Sequence, residues 1–444
     1  YINKKDFNNN NMKKFTIYRL TDVSYGKMYE ALNSDEVKNK ILNFEITHFV
    51  RNEKGINEAS KSLTEILDNV ASKTCIIKVP IKQKKSKIKK NPWPDNELKD
   101  LKSKINNLGK KLKHKPFDRN LKQQFFETAK YLKKASKKKK IQYQQQMIEK
   151  LSNLQTKDPQ QFWKLLKSLR NNMNTTEINM KSDNLTNHFQ KQGLWNKPCD
   201  KAEDEINLFL KNKESENRFN EITDSPITIS EVNKVIKSLK MKKSPGPDSI
   251  VNEVIKYCSP VTIKCYTKLY NLVLDSGCSP ETWQYSLLVP IFKSGDSKDP
   301  NNYRGISLIN GIAKIFSSIL NNRIIKYMEN KFSQEQFGFL PKLRTTDSLF
   351  VFKTLINKYL NLKKKPLYIC FVDLRKAFDS IWRTALLYKI LSQGIGSKIY
   401  QVIKNMYSTT KSSITINDKL TNWFEITKGG RQGDFFKSHP FQYF

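Results

Sequence analysis

Acidic residues are scarce in this sequence. Its 42 Asp and Glu face 80 Lys and Arg, which leaves a formal net charge of +38. An excess of that size opposes compaction unless a polyanion neutralises it, and nucleic acid is the usual one. An anionic membrane surface would be the competing partner. No stretch of roughly 18 consecutive apolar residues occurs from which a membrane-spanning helix could be built. Nothing near the N-terminus resembles a signal peptide, and the first residue is Tyr1 rather than Met, as expected of a fragment or a processed product. Six cysteines show no CxxC spacing and only four histidines occur, which argues against a zinc site. Scattered cysteines of this kind fit free thiols in a reducing compartment. Hydrophobic residues make up 38% of the chain, low but sufficient for at least one sizeable core in two or three domains.

Residues 1–77 are polar and Asn-rich at the start, and read as a linker or the remnant of a boundary with something upstream. Residues 78–170 form a lysine-rich region. Leu98, Leu101, Ile105, Leu108 and Leu112 recur at helical spacing, and Pro116 in HKPFDRN ends that helix. Leu121, Phe125, Ala129 and Leu132 then mark a second helix, so the region reads as an antiparallel hairpin with lysine-covered outer faces. Lys84, Lys85, Lys89, Lys90, Lys110, Lys111, Lys137, Lys138, Lys139 and Lys140 are its candidate phosphate-gripping residues. The plainer alternative is a solvated charged face. A further helix begins at DPQQFWKLLKSLR, with Asp158 as cap, Pro159 at the first helical position and Gln161 completing a capping box. Residues 171–225 read as a polar linker. From residue 226 to 444 lysine density falls and apolar periodicity improves, so this is expected to be the folded α/β part, with its core over 284–444. Ser230 is the expected cap of the helix EVNKVIKSLK, which Pro245 and Pro247 bar from continuing.

Three segments carry candidate chemistry. In SLLVPIFKSGDSKDPNNYRGISL, Lys293 ends a strand and Arg304 follows a polar turn. A hairpin would place both cations at one tip, where a planar fork and a point charge suit a triphosphate. Taken alone, such a pair is also ordinary surface charge. In FVDLRKAFDSI, Asp373 ends the apolar run 367–372, which reads as a buried strand. A carboxylate there needs a cation, a metal or exposure, and Mg2+ takes hard oxygen ligands of this type. Phe378 is placed where a ring could crowd a sugar 2′ position, and Asp379 reads as a helix cap. In TKGGRQGD the glycines let backbone approach a ligand closely.

Taken in order, KSPGPDSI, LLVPIFKSGDSKDPNNYRGISL, QEQFGFLPKLRTTDSL, FVDLRKAFDSIWR and GGRQGD resemble the reverse transcriptase of non-LTR (LINE-type) retrotransposons, over roughly residues 226–434. The lysine-rich hairpin with PWPDNELKDLK is similar to the region joining endonuclease and polymerase in such elements. The resemblance implies right-hand polymerase fingers and a partial palm in an RNA-directed DNA polymerase, a nucleotidyltransferase that copies element RNA into DNA. It implies that Lys293 and Arg304 hold the dNTP phosphates, and that Asp373 is the first Mg2+ ligand and catalytic carboxylate. Val372 to Phe378 would line the nucleotide site, with Phe378 discriminating deoxyribose from ribose. Gln432 and Gly433 would contact the template–primer.

The family also needs an aromatic-x-Asp-Asp turn after the QGD loop, and this chain contains no Asp-Asp dipeptide. Asp373 alone cannot hold two metals, so the isolated chain is expected not to polymerise DNA. The expected partners are RNA template, DNA primer and dNTP, with no membrane, in an intracellular ribonucleoprotein of the cytoplasm or nucleus. The alternative is a non-catalytic RNA-binding protein derived from a decayed retroelement.

Overall fold

The structure, a computed structural model, describes residues 18–19, 22–77, 93, 95–170, 182–194, 200–214, 216, 219–338, 340, 343–374, 376–416 and 419–430. They belong to two compact units, one from residues 1–79 and 178–444, the other from residues 80–177.

The first unit opens with a two-residue strand β1 (Tyr18–Arg19), antiparallel to β2 (Ile76–Ile77), and three helices, α1 (Asp22–Asn33), α2 (Asp35–Ile46) and α3 (Glu53–Thr74). Asn52 caps α3 by accepting from the Gly55 amide at 3.0 Å. Ile56, Ala59, Leu63, Ile66 and Val70 then recur at three- and four-residue steps and are fully buried. The expectation of a linker over residues 1–77 is therefore corrected. Residues 22–77 share one hydrophobic core with the helix Asn252–Ser276, far along the chain. Their apolar positions are interleaved with Asn, Lys and Glu, so composition hid a period that packing uses.

The second unit matches its sequence closely. Helix α4 (Asn96–His114) is capped by Asp95, α5 (Arg119–Lys157) by Asp118, and α6 (Pro159–Arg170) by Asp158. Lys139 pairs with Asp95 at 2.6 Å, and Phe125 lies beside Gly109, so α4 and α5 run antiparallel. Leu98 and Leu108 are the buried residues of the seam.

Within the stretch 171–225, expected as a polar linker, α7 (Ser182–Gly193), α8 (Asp200–Glu214) and α9 (Glu221–Asp224) form instead. Leu185 and Phe189, one helical turn apart, enter a small core under the sheet. Helix α10 (Ile229–Ser238) is capped by Thr228 rather than Ser230. Thr228 and Glu231 form a reciprocal capping box, so the helix begins with the first member of T-x-x-E and not the residue nearest the apolar run. Helix α11 (Asn252–Ser276) ends at Gly277, whose φ of 70° supplies the left-handed cap.

A mixed sheet follows. Strand β3 (Tyr285–Phe292) pairs antiparallel with β4 (Tyr303–Ile309) and parallel with β5 (Lys411–Ile416); β6 (Lys419–Leu420) and β7 (Phe424–Glu425) both pair with β5. Helix α12 (Gly311–Met328), buried on nearly every side, lies between β4 and the exposed helix α13 (Thr345–Ile356) in sequence. Helices α14 (Arg383–Ser392) and α15 (Ser397–Ser408) lead into β5. The α/β class expected from the sequence is what forms.

One expected strand does not. Residues 367–372 form no strand and are largely solvent-facing, with Tyr368 91%, Phe371 82% and Val372 84% exposed. An apolar run becomes a strand only where a neighbour takes up its N–H and C=O groups. Among the described residues no strand lies alongside this one.

Candidate nucleotide and nucleic-acid site

Strand register places the first pair at one end of a hairpin. Arg304 stands directly across from Ile291, and the Lys293 amide donates to the Asn302 carbonyl at 2.9 Å. Lys293 lies one residue beyond β3, and by strand alternation it falls on the side of Ile291 and Arg304. Both cations are exposed at the same end of the hairpin. The connecting turn is held by its own polar groups. Gly295 takes a φ of 92°, Asp299 accepts from the Asn301 amide at 2.9 Å, and the Tyr303 hydroxyl donates to the Ser297 carbonyl at 2.8 Å.

The base of the hairpin is locked by the KSPGPDSI segment. Gly246 passes so close to β4 that a Cβ there would lie 2.2 Å from the Ile309 carbonyl oxygen. Asp248 accepts from the amides of Gly311 at 2.9 Å and Ile250 at 3.4 Å, which fixes the start of α12. Burial pushes the Asp248 carboxyl up to about 7, with those amide hydrogen bonds opposing. The fold thus holds a proton that the unfolded chain releases near 3.8. The stabilisation from protonation is full below that value and disappears as pH rises through about 7. Asp248→Asn is expected to flatten the urea midpoint between pH 5 and 8. An unchanged pH slope in the variant would remove Asp248 from this role.

The second cluster surrounds Phe378. Residues Ala377–Ser380 form a single tight helical turn. The amide of Gly430 donates to the Phe378 carbonyl at 3.0 Å and that of Gly429 to Ile381 at 2.8 Å. Gly429 has a φ of 80°, and a Cβ there would meet the Asp379 backbone oxygen at 2.9 Å. Buried Arg383 secures the same junction, donating to the Gly429 carbonyl at 3.3 Å, the Tyr407 carbonyl at 3.0 Å and the Thr410 hydroxyl at 2.8 Å. The start of the GGRQGD loop is therefore fastened against the Phe378 turn. Gln432 and Gly433 themselves lie outside the described residues.

Helix α7 supplies what sequence reading missed. Gln192 donates through Nε2 to the Asp379 carboxylate at 2.9 Å and accepts from Lys376 Nζ at 3.2 Å. The Gly193 carbonyl accepts from the amides of Thr427 at 2.9 Å and Lys428 at 3.1 Å. His188, one turn earlier, is pushed down by burial and then by the Lys376 charge. Asp379 is thus not the helix cap it was expected to be. Trp382 occupies the cap of α14, and the Asp379 carboxylate is turned toward α7. The Leu185–Phe189 spacing was the one available signal for α7.

Asp373 stands exposed on the unpaired stretch, as does Val372. Among the described residues no three His, Cys, Asp or Glu side chains gather as metal ligands. A single carboxylate on unpaired backbone does not fit the near-octahedral oxygen cradle that Mg2+ demands. Of the candidate lysines, Lys110, Lys111, Lys137, Lys138 and Lys140 are exposed on the helical hairpin. Lys139 is instead committed to Asp95 at 2.6 Å and Glu97 at 3.7 Å, and the Asp95 hydrogen bond raises its pKa above the ordinary lysine value. Lys84, Lys85, Lys89 and Lys90 lie outside the described residues.

Residues 292–442 match the family described as reverse transcriptase (RNA-dependent DNA polymerase). The chain is similar to the RNA-directed DNA polymerase from mobile element jockey of Drosophila funebris, 29% identical over 213 residues covering 47% of this chain and 23% of that protein. It is also similar to the probable RNA-directed DNA polymerase from transposon BS of Drosophila melanogaster, 26% identical over 200 residues, 44% of this chain and 22% of that one. The retrovirus-related Pol polyprotein from type-1 retrotransposable element R2 of Nasonia vitripennis is 25% identical over 209 residues, 47% and 20% of the respective chains. The matched stretch spans less than a quarter of each of these relatives. This chain carries a partial reverse-transcriptase domain of the non-LTR retrotransposon kind, over less than half its length.

Proposed function

We propose that the chain is the fingers and part of the palm of an RNA-directed DNA polymerase that copies retroelement RNA into DNA, and that in isolation it is catalytically incomplete. The observation carrying this is the placement of Lys293 and Arg304, both exposed, at one end of the β3–β4 hairpin. There they would hold the triphosphate of an incoming dNTP, the Arg by its planar fork and the Lys as a point charge. Val372 to Phe378 would line the nucleotide, with the Phe378 ring against the sugar 2′ position. Gln432 and Gly433, extending from the fastened glycine pair, would meet the template–primer. In this role Asp373 is one metal ligand of a set that the described residues do not complete. The working state is an intracellular ribonucleoprotein with RNA template and DNA primer.

A second reading, a non-catalytic RNA-binding protein left by a decayed retroelement, is favoured by the exposed lysines of α4 and α5. One assay separates activity from binding. With an RNA template, annealed DNA primer, dNTPs and Mg2+, the chain is expected to bind the template–primer and give no extension product. Robust extension would overturn catalytic incompleteness, and failure to bind the template–primer at low salt would overturn both readings.

A further inference from the structure

One surface of the second unit is built more specifically than a basic patch. Along α5, Lys122, Phe126, Lys130, Lys133, Lys137 and Lys140 follow one another at steps of four, four, three, four and three residues. With 3.6 residues per turn they form one stripe, about 27 Å long at 1.5 Å per residue. Every member is exposed, Phe126 by 68%. The seam against α4 uses another side of the helix, where Leu121, Phe125, Ala129 and Leu132 are half-buried. Neither acid of α5, Glu127 or Glu149, falls in the stripe. Lys139, the α5 lysine held in ion pairs with Asp95 and Glu97, also lies off it.

Aromatic rings mark both ends. Phe117, 89% exposed at the hairpin turn, has Lys122 Nζ 6.0 Å from its ring centre. Trp93 has Lys140 Nζ at 5.8 Å. A solvated lysine face needs no ring in its middle, and an exposed phenyl flanked by cations gains nothing from water. An unpaired base offers what such a stripe can use, a phosphate for the lysines and a flat π-face for the ring. A duplex hides its base faces in the stack.

Resting on the nucleic-acid-binding reading above, we propose that this α5 stripe is a cradle for single-stranded RNA, with Phe126 stacking on an unpaired base between rows of phosphate-gripping lysines. From Lys130 to Lys140 the lysines follow each other at about 4.5 to 6 Å along the helix axis, with Lys122 about 12 Å before Lys130 across Phe126, close enough for the run to engage successive phosphates of one strand.

The test uses the full chain and fluorescence anisotropy with an unstructured RNA of about 20 nucleotides and a duplex RNA of the same length. Phe126→Ala is expected to weaken single-strand binding by roughly tenfold and duplex binding by less than about twofold. Phe126→Trp is expected to restore or tighten it, which a purely structural role would not produce; circular dichroism checks that the helix persists. Lys133→Gln with Lys137→Gln is expected to weaken both and to lower the single-strand salt slope by about 1.4. If Phe126→Ala changes both RNAs equally or neither, the stacking cradle is wrong while binding stands. If polyglutamate competes as well as RNA of equal charge, the stripe is a generic anion or protein surface and the proposal falls. If the unaltered chain binds no RNA at low salt, the underlying binding reading fails.

Discussion

RNA affinity of the full chain is expected to fall by about a thousandfold between roughly 50 and 200 mM salt. The argument runs through counterion release. Each phosphate neutralised by a lysine frees a condensed cation, so the logarithm of affinity falls with the logarithm of salt in proportion to the phosphates engaged. Lys110, Lys111, Lys122, Lys130, Lys133, Lys137, Lys138 and Lys140 are exposed on the hairpin. Engagement of about seven of them by a single strand gives the stated loss. Few carboxylates on these helices offset them, and a net charge of +38 adds long-range attraction. Filter binding across a salt series measures the slope directly. A slope corresponding to one or two phosphates would mean that the lysines are a solvated face.

Replacing Arg323 by Leu is expected to destabilise the first unit by about 3–5 kcal/mol. The side chain is 7% exposed on α12 and forks onto Glu231, with Nε to Oε1 at 2.7 Å and Nη2 to Oε2 at 2.9 Å. Its remaining donors meet the carbonyls of Thr223 at 3.1 Å, Ser225 at 2.5 Å and Pro226 at 3.0 Å. Burial works against the Glu231 carboxylate. The Arg323 guanidinium, followed by the Thr228 amide, outweighs it and keeps that carboxyl below its ordinary value. Loss of the Arg leaves a half-buried charge and three carbonyls without their donor, which costs far more than an exposed pair would. Melting should shift down by roughly 10 °C, and Arg323→Lys should not rescue it, because an ammonium cannot match the fork. A shift under about 2 °C would show that the network is incidental.

Legibility of the fold followed how local each signal was. The α4–α5 hairpin could be read because its stripe, caps and breaker lie within a few residues of one another. The β3–β4 hairpin could be read for the same reason, and with it the placement of Lys293 and Arg304. The capping box of α10 was within reach, since Thr228 and Glu231 lie only three positions apart, but Ser230 stood nearer the apolar run. Residues 22–77 were misread because their burial depends on α11, some two hundred positions away. The stretch 367–372 was misread for the converse reason: its composition suits a strand, but strand identity belongs to a pair. Gln192 and Arg383 act through a few hydrogen bonds to residues far along the chain, and no periodicity encodes these. Gly246 and Gly429 were visible as motif glycines, yet the backbone each one approaches was not.

On the proposed reading, the Lys293–Arg304 hairpin and the Phe378 turn fastened to Gly429 and Gly430 form the nucleotide side of a polymerase site. Photo-crosslinking an azido-dNTP to the full chain with template–primer bound, followed by peptide mapping, tests it without requiring turnover. Label concentrated on peptides spanning residues 291–304 and 376–383, and chased by unlabelled dNTP, is the expected result. Label absent from both segments, or unaffected by competing dNTP, would contradict it.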